Sequence, residues 1–294
     1  MRAFSEFAFH YNFLNPGGSP FPASEEALVW FVAYLSQSVA YGTIKSYLSA
    51  VRSHHVDYGL DVTPFLSLRL KRIRYGARRL SAPSQDRRLP ITPRILLDIF
   101  RTVDLQDYND SLHWAACCLA FFGFLRCAEF TIPSSSSFDP SQHLGVSDVL
   151  FDSACFPSML SLLLRTSKTD QFRQGVSVVI GRTQSPVCAV RAVAHFLCLR
   201  GNTPGPLFVF REGQALSRQS FTCFLRHRLA ACGHLGFYAG HSFRIGAATT
   251  AAAAGVPAHI IKAMGRWKSE AYLAYIRISP DILRAVAAQM SGQV

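Results

Sequence analysis

Apolar residues in the first third of the chain recur at the spacing of helices rather than strands. The clearest i, i+3, i+4 set is Leu28, Phe31, Val32 and Leu35. Ser24 can cap this helix, and Thr43 is predicted to cap a second one. A third helix is predicted over 64–75, whereas residues 1–23, which are rich in aromatic residues, Gly and Pro, are predicted to form an irregular leader. These patterns indicate a small, helical unit.

The pattern changes once in the rest of the chain. Helices are predicted over 93–103 and 111–122. Three strand-like segments follow, at 146–151, 159–164 and 176–180. The polar residues 165–175 join the last two segments and are typical of a hairpin. Helical spacing returns from Ala189 onward, with a final helix at 280–290. The sequence therefore predicts a mainly α fold with a small antiparallel β-sheet.

A basic segment separates the two patterned regions. Residues 69–94 contain nine Lys or Arg and a single acid. Ser and Pro at 81–84 and Pro90 interrupt any helix there, which indicates a linker. The predicted boundaries are 1–23 for the leader, 24–80 for a helical domain, 81–90 for the basic linker and 91–294 for a second domain. The basic segment can cross DNA phosphates, and the alternatives are a solvated loop or a nuclear-import signal.

Charge and composition narrow the classes of function. Lys and Arg total 30 against 18 Asp and Glu, a net charge of +12, which favours nucleic acid over an anionic membrane surface. The hydrophobic fraction of 49% excludes a disordered basic tail. The uncharged stretch 114–125 is too short to span a bilayer, and the N-terminal residues have no signal-peptide apolar core.

Motifs for metals and disulfides are missing from the sequence. No Asp-x-Asp pair points to a two-metal nuclease. The eight Cys include no Cys-x-x-Cys pair, so neither a zinc ribbon nor a disulfide framework is indicated. We expect reduced thiols in an intracellular protein.

Several polar residues interrupt apolar segments in a way that favours an anionic ligand. Arg126 follows a long apolar helix and Glu129 lies one turn on, so the two form either a structural ion pair or part of a phosphate site. His241 and Arg244 share a face at the start of another helix, where the helix dipole favours an anion. Lys168 lies in the predicted hairpin, where a lysine is either solvated or able to donate a proton into a groove.

The order of the candidate residues resembles one family. The series is Arg126, Lys168, His241, Arg244, Trp267 and Tyr275. It resembles the active site of the tyrosine recombinases, or phage integrases. The patterns H-S-F-R-I-G-A-A-T-T and G-R-W-x-S-x-A-Y-x-x-Y-I-R are especially similar to recombinases of DIRS and Crypton mobile elements. The resemblance implies a helical, SAM-like core-binding domain at 24–80 and an α+β tyrosine recombinase catalytic domain at 91–294.

The resemblance also implies roles for these residues. Tyr275 would attack a DNA phosphodiester and form a 3′-phosphotyrosine with a free 5′-hydroxyl, so that a second DNA end can reverse the step. Arg126 and Arg244 would bind the non-bridging oxygens, because guanidinium makes paired, charge-assisted hydrogen bonds. Lys168 would protonate the leaving oxygen, and His241 would assist proton transfer.

The segment around the nucleophile departs from the family pattern. Trp267 stands where many relatives have a His, and its indole N–H can donate a hydrogen bond but cannot titrate. Eight positions separate Trp267 from Tyr275, where relatives commonly have nine, so Tyr272 stays a second candidate nucleophile. Glu129 is expected to orient neighbouring groups. The family uses no metal ion or nucleotide, and no cofactor is expected here.

Double-stranded DNA is the expected partner, clamped by the two domains, with most contacts made to phosphates. The candidate DNA-binding residues are Lys45, Arg52, Arg72, Arg74, Arg78, Arg79, Arg87 and Arg88. Recombination in this family needs four protomers on two DNA sites, so a homo-tetramer is expected. Helix 280–290 would dock on a neighbouring protomer or, alternatively, pack on its own domain. Nuclear location is expected, and membrane association is not.

The predicted function is site-specific DNA recombination that serves the integration of a mobile element. A type IB topoisomerase-like DNA relaxer would use the same chemistry with a different outcome. A non-catalytic DNA-binding protein derived from a recombinase is the alternative of a different class. A peripheral membrane protein is disfavoured because no strongly amphipathic helix adjoins the basic linker.

Overall fold

Two units divide the chain in the computed structural model, Met1–Asp86 and Arg87–Val294. The structure describes residues 1–81, 88–133, 137–167, 170, 172, 174–277 and 280–291. The helices of the first unit are α1 (Arg2–His10), α2 (Glu25–Ser36), α3 (Tyr41–Asp57), a 3-10 helix (Thr63–Leu66) and α4 (Leu68–Leu80). They pack around a core of their own, which contains Leu28, Phe31, Ile44, Val51 and Leu70.

Capping side chains set two of these helix starts. The Ser24 hydroxyl accepts a hydrogen bond from the Ala27 N–H at 3.1 Å, which confirms the predicted cap of α2. Ser67 caps α4 in the same way, so the third helix runs later and further than the predicted 64–75. The predicted cap at Thr43 is wrong, because the chain already turns at Ala40 and the Thr43 N–H donates to the Ala40 carbonyl at 2.8 Å.

The irregular leader predicted at 1–23 is wrong for its first half. Residues Arg2–His10 form α1, whose Phe4, Phe7 and Ala8 are buried. The Phe4 ring lies edge-on to that of Phe31 in α2, with centroids 5.1 Å apart. Apolar side chains at i, i+3 and i+4 give α1 one core-facing side, and burial of that side stabilises the helix. The aromatic, Gly and Pro content of 1–23 had favoured an irregular segment instead.

The second unit begins with two helices and a single helical turn, and continues into the sheet. These elements are α5 (Pro93–Phe100), α6 (Tyr108–Phe122), α7 (Cys127–Phe130), a 3-10 helix (Val146–Asp148), β1 (Val149–Phe151), β2 (Met159–Leu164) and β3 (Val176–Gly181). The remainder is helical, with α8 (Ala189–Arg200), α9 (Arg218–Ala231), α10 (His241–Ala253), α11 (Ala258–Met264), a 3-10 helix (Glu270–Tyr275) and α12 (Pro280–Met290). The helix predicted at 280–290 is thereby confirmed.

The sheet has the order β1-β2-β3, and both strand pairs are antiparallel. Its strands agree with the prediction except at 146–148, which forms a turn of 3-10 helix. The Asp148 carboxylate causes this turn, because it accepts a hydrogen bond from the Gly145 N–H at 2.8 Å and forms an ion pair with Arg165 at 2.6 Å. A mainly α fold with a small antiparallel sheet is confirmed.

Helix α6 forms the centre of the second unit. Its residues from Ser111 to Phe121 are all buried, which accounts for the uncharged stretch in the sequence. Among the described residues, no helix is long and apolar enough to cross a membrane. Helix α10 crosses the chain at Ile91 so closely that a Cβ on Gly246 would lie 1.7 Å from the Ile91 carbonyl oxygen. The Ile91 N–H also donates to the Ser242 carbonyl at 3.0 Å, which fixes the start of α10.

Candidate active site

Segments far apart in the sequence converge on a cleft of about 590 Å³ in the second unit. The cleft lies among α7 and the first residues of α9, α10 and the 3-10 helix Glu270–Tyr275. The charged and aromatic lining residues are Arg126, Glu129, Arg218, His241, Arg266, Trp267, Lys268 and Tyr275. Four of the six residues predicted from the sequence therefore meet in one place.

Arg126 is held at the start of α7 by Glu129. The Glu129 Oε2 accepts a hydrogen bond from the Arg126 backbone N–H, and Oε1 accepts one from Nη1 of the guanidinium, both at 2.8 Å. The Arg126 side chain is 16% exposed and faces the cleft, whereas that of Glu129 is 4% exposed. The pair is thus structural, as the plainer interpretation held, and it also places a guanidinium in the cleft wall.

Arg244 is fully buried behind the cleft. Its guanidinium donates to the carbonyl oxygens of Phe124 and Gly265. Its Cζ lies 4.1 Å from the centroid of the Trp267 ring and 5.7 Å from that of Tyr275, in cation–π geometry. Burial, and next the positive charges of Arg126 and Arg266, lower its pKa. The indole of Trp267 therefore covers the second arginine of the predicted pair.

Arg266 is a site residue that the sequence pattern did not reveal. Its Nη2 donates to Glu129 Oε2 at 2.7 Å, and its Nη1 donates to the Gly123 carbonyl at 3.0 Å. Its backbone φ is +54°, a left-handed value that is uncommon outside glycine. The sole signal in the sequence was the position of Arg266 between Gly265 and Trp267. The Trp267 ring packs on Gly265, where a Cβ would lie 1.5 Å from the ring.

Two aromatic rings flank the candidate nucleophile. The centroid of Tyr275 lies 5.2 Å from that of Trp267 and 6.5 Å from that of His241. The His241 and Tyr275 rings are nearly parallel, at 19°. The ring of a histidine thus lies beside that of the tyrosine in the cleft.

Thr249 holds the main chain on either side of the tyrosine. Its hydroxyl donates to the Tyr275 carbonyl at 3.2 Å and accepts from the Arg277 N–H at 3.0 Å. Since Thr249 lies on α10, two turns beyond His241, these bonds join the helix that carries His241 and Arg244 to the nucleophile segment. Sequence reasoning had not assigned this threonine a role.

Tyr272 lies in a different environment from Tyr275. Its side chain is buried, its ring packs 6.2 Å from that of Trp267, and it interacts with the carboxylate of Glu270. Tyr275 is half-buried and lines the cleft. Of the two candidate tyrosines, Tyr275 is therefore the one that lines the cleft.

Lys168 and Arg87, both predicted from the sequence, lie outside the described residues. Thr166 and Ser167, which directly precede Lys168 in the chain, line the cleft. The strands on either side of the hairpin, Met159–Leu164 and Val176–Gly181, are formed as predicted.

The predicted DNA-binding residues of the first unit lie on two helices. Lys45 and Arg52 are exposed on α3, seven positions apart and therefore on one face. On α4 the exposed members are Arg72, Arg78 and Arg79. Arg74 is half-buried and its Nε has no hydrogen-bond partner in the described part of the chain. Arg88, in the second unit, is half-buried.

The cysteines form no disulfide, and the described acidic residues form no metal site. All eight cysteines are free thiols, and Cys117, Cys118, Cys127 and Cys188 are buried. Within the residues that the structure describes, no group of three or more His, Cys, Asp or Glu could hold a metal ion.

Comparisons with known proteins give both sequence and fold relatives. No family model matches the chain. It is 27% identical over 270 residues to an integrase/recombinase XerD homolog of Selenomonas ruminantium, an alignment that spans 86% of this chain and 73% of the relative.

Among solved structures, the chain is similar to the XerH site-specific recombinase bound to palindromic difH DNA. The TM-score is 0.62 at 12% identity, over 93% of this chain and 74% of that one. The Tn1549 transposon integrase in complex with circular intermediate DNA gives 0.54 at 13% identity, over 97% and 98%. A λ integrase dimer on a core site gives 0.57 at 16%, over 94% and 87%.

Proposed function

We propose that this chain, whose sequence and fold are confirmed to resemble the tyrosine recombinases, is itself a site-specific recombinase that cuts and rejoins DNA. The observation that carries the proposal is the cleft in which Arg126, His241, Trp267 and Tyr275 meet. These residues come from separate segments of a fold shared with enzymes solved on DNA. Their order along the chain matches the order of the active-site residues in the family.

The chemistry is an in-line attack on a phosphodiester. The Tyr275 oxygen bonds to phosphorus, the bond to the 5′-oxygen breaks, and that oxygen takes up a proton. His241, whose ring lies beside that of Tyr275, is proposed to take the tyrosine proton, and Lys168 is proposed as the donor to the leaving oxygen. Arg126 would bind a non-bridging oxygen and stabilise the charge that develops on it. The phosphotyrosine keeps the energy of the bond, so a second 5′-hydroxyl can reverse the step.

The Trp267 ring covers Arg244 and must move before this arginine can bind the same phosphate. Its guanidinium lies behind the Trp267 ring and makes two hydrogen bonds to carbonyls. We propose that the indole moves aside when DNA enters and then donates its N–H to the phosphate. The buried positive charge of Arg244 favours this change, because a desolvated cation gains most from an anionic partner.

The assembly on DNA is proposed to be a tetramer on two sites. Helix α12 supports this, because Leu283, Val286 and Met290 are exposed on one of its faces. A neighbouring protomer would cover that face. Analytical ultracentrifugation with DNA should show the tetramer, and Leu283→Asp should leave smaller complexes.

The biological setting is proposed to be the integration of a mobile element in a nucleus. The similarity to a transposon integrase and the DIRS- and Crypton-like patterns support the first part, and the exposed basic residues of α4 support the second. A fluorescent fusion of the full chain, expressed in eukaryotic cells, checks the location.

A covalent trapping experiment tests the enzyme activity. The substrate is a pool of short duplexes with a randomised centre and a nick, so that the fragment beyond the cut diffuses away and the adduct accumulates. With EDTA present, the wild type should give an SDS-stable protein–DNA adduct from which the preferred sequence is recovered. Tyr275→Phe should give none.

Tyr272→Phe is the matched control, because it removes the same hydroxyl three positions away. It should form the adduct, and loss of the adduct in this variant alone would make Tyr272 the nucleophile. DNA binding without any adduct would favour the non-catalytic DNA-binding protein. Relaxation of supercoils by a monomer, without strand exchange, would favour the topoisomerase-like enzyme.

A further inference from the structure

The guanidinium of Arg266 lies at the centre of the polar network in the cleft wall. It donates to Glu129 Oε2 at 2.7 Å, to the Gly123 carbonyl at 3.0 Å and to the Phe124 carbonyl at 3.3 Å. Its side chain is 11% exposed, so these bonds form in a largely desolvated place. One side chain thus joins the segment before α7 to the acidic residue within it.

Two of these acceptors also hold the arginines proposed to bind phosphate. The Glu129 carboxylate binds Arg126 through its other oxygen, at 2.8 Å. The Phe124 carbonyl accepts a second hydrogen bond, from Arg244. Arg266 is therefore connected to each of the two guanidiniums through one shared acceptor.

The backbone is strained where this network is anchored. Arg266 has a φ of +54° and Phe124 a φ of +49°, and neither is a glycine. A left-handed non-glycine residue costs on the order of 1–3 kcal/mol and persists where surrounding contacts fix it. Both residues lie just past the end of a helix, α6 or α11, and the hydrogen bond from Arg266 to the Phe124 carbonyl joins these two helix ends.

The charges in the cleft wall are unbalanced, with an excess of positive charge. Three guanidiniums, those of Arg126, Arg244 and Arg266, surround the single carboxylate of Glu129. Burial lowers the pKa of Arg266, and the Glu129 carboxylate opposes that effect. A phosphate diester entering the cleft would supply the missing negative charge.

We propose that Arg266 is a positioning residue for the phosphate-binding arginines. It holds Glu129 against Arg126 and the Phe124 carbonyl against Arg244, so that both guanidiniums are oriented before DNA enters. This inference rests on the proposed recombinase function. It predicts that removal of Arg266 lowers the rate of cleavage at a charged scissile phosphate and has little effect on DNA affinity.

The test measures single-turnover adduct formation on the nicked duplex recovered from the pool. Arg266→Ala should lower the rate at saturating DNA about 100-fold, the size expected for loss of an oriented charge-stabilising group. The DNA concentration for half-saturation should change less than about threefold, because other phosphate contacts supply the affinity. Arg266→Lys should recover part of the rate, since one ammonium keeps the charge but cannot reach all three acceptors.

A neutral substrate separates positioning from a loss of folding. With a methylphosphonate at the scissile position, one non-bridging oxygen is a methyl group and its charge is gone. The ratio of wild-type to Arg266→Ala rates should then shrink to less than about tenfold, because less charge needs to be stabilised. Arg228→Ala is the matched control, as Arg228 is a partly buried arginine paired with Asp110 at 2.5 Å. It should lower the melting temperature and leave the rate on both substrates unchanged.

Two results would overturn the inference while the proposed function stands. One is that the wild type cleaves the phosphodiester and Arg266→Ala cleaves it equally fast. The other is an equal loss of rate on both substrates, which indicates a merely structural role. Absence of any adduct in the wild type would instead overturn the proposed function together with this inference.

Discussion

At the scale of single residues, one carboxylate organises the candidate site. Glu129 binds the main chain and guanidinium of Arg126 and also the guanidinium of Arg266. The Arg126–Glu129 pair could be predicted from the sequence, because a separation of three residues places both on one helical turn. Its bond to Arg266 could not, since 137 positions separate the two residues and the fold alone brings them together.

Thr249 offers a test of how the nucleophile is placed. Thr249→Val keeps the shape of the side chain but removes both hydrogen bonds to the Tyr275 segment. We expect the single-turnover rate of adduct formation to fall by about 10- to 100-fold, because small displacements of a reacting atom are costly. DNA affinity should be unchanged.

Thr249→Ser retains the hydroxyl and should retain most of the rate. Thr250→Val, on a different face of α10, is the matched control. Equal rates for Thr249→Val and the wild type would show that the two hydrogen bonds do not position the tyrosine.

At the scale of elements, the sequence was informative wherever local spacing decides the structure. The strands β2 and β3, and the helices α6 and α12, follow directly from periodicity. Prediction was wrong where one contact overrides local preference, as at Asp148, whose carboxylate turns 146–148 into a 3-10 helix. It also missed α1, because aromatic residues near Gly and Pro resemble a loop until their burial against α2 is known.

The close approach of α10 to Ile91 provides a stability prediction for an element. In Gly246→Ala the added Cβ would lie 1.7 Å from the Ile91 carbonyl oxygen, so the helix or the chain before α5 must shift. We expect a loss of about 1–3 kcal/mol in the free energy of unfolding, as for other overpacked sites. Urea denaturation measures it.

Gly76→Ala in α4 is the matched control, because nothing lies within 4 Å of the position of its Cβ. There the higher helix propensity of alanine should stabilise the first unit by about 0.5–1 kcal/mol. Equal effects of the two substitutions would show that the crossing at Ile91 is not tight.

At the scale of the whole molecule, the surplus of positive charge is divided between two kinds of place. Four arginines line the cleft of the second unit or lie behind it, and three of them, Arg126, Arg244 and Arg266, are largely buried. The basic residues of α3 and α4 in the first unit are mostly exposed. Buried guanidiniums are suited to a single phosphate, whereas exposed ones attract the polyanion along its length. The total charge could be predicted from the sequence, whereas the fold determines which basic residues are buried at the cleft and which are exposed.

The exposed charges of α3 lead to a prediction about salt. A phosphate contact releases condensed counterions, so the logarithm of the DNA affinity should fall linearly with the logarithm of the salt concentration. Loss of one contact reduces the slope by about 1, so Lys45→Ala and Arg52→Ala should each do so, by a similar amount on unrelated DNA sequences. Fluorescence anisotropy across a salt series measures the slope.

Arg2→Ala is the control, because Arg2 is an exposed basic residue paired with Glu6 on α1. The slope of this variant should match that of the wild type. Unchanged slopes for the α3 variants would place the DNA elsewhere on the first unit.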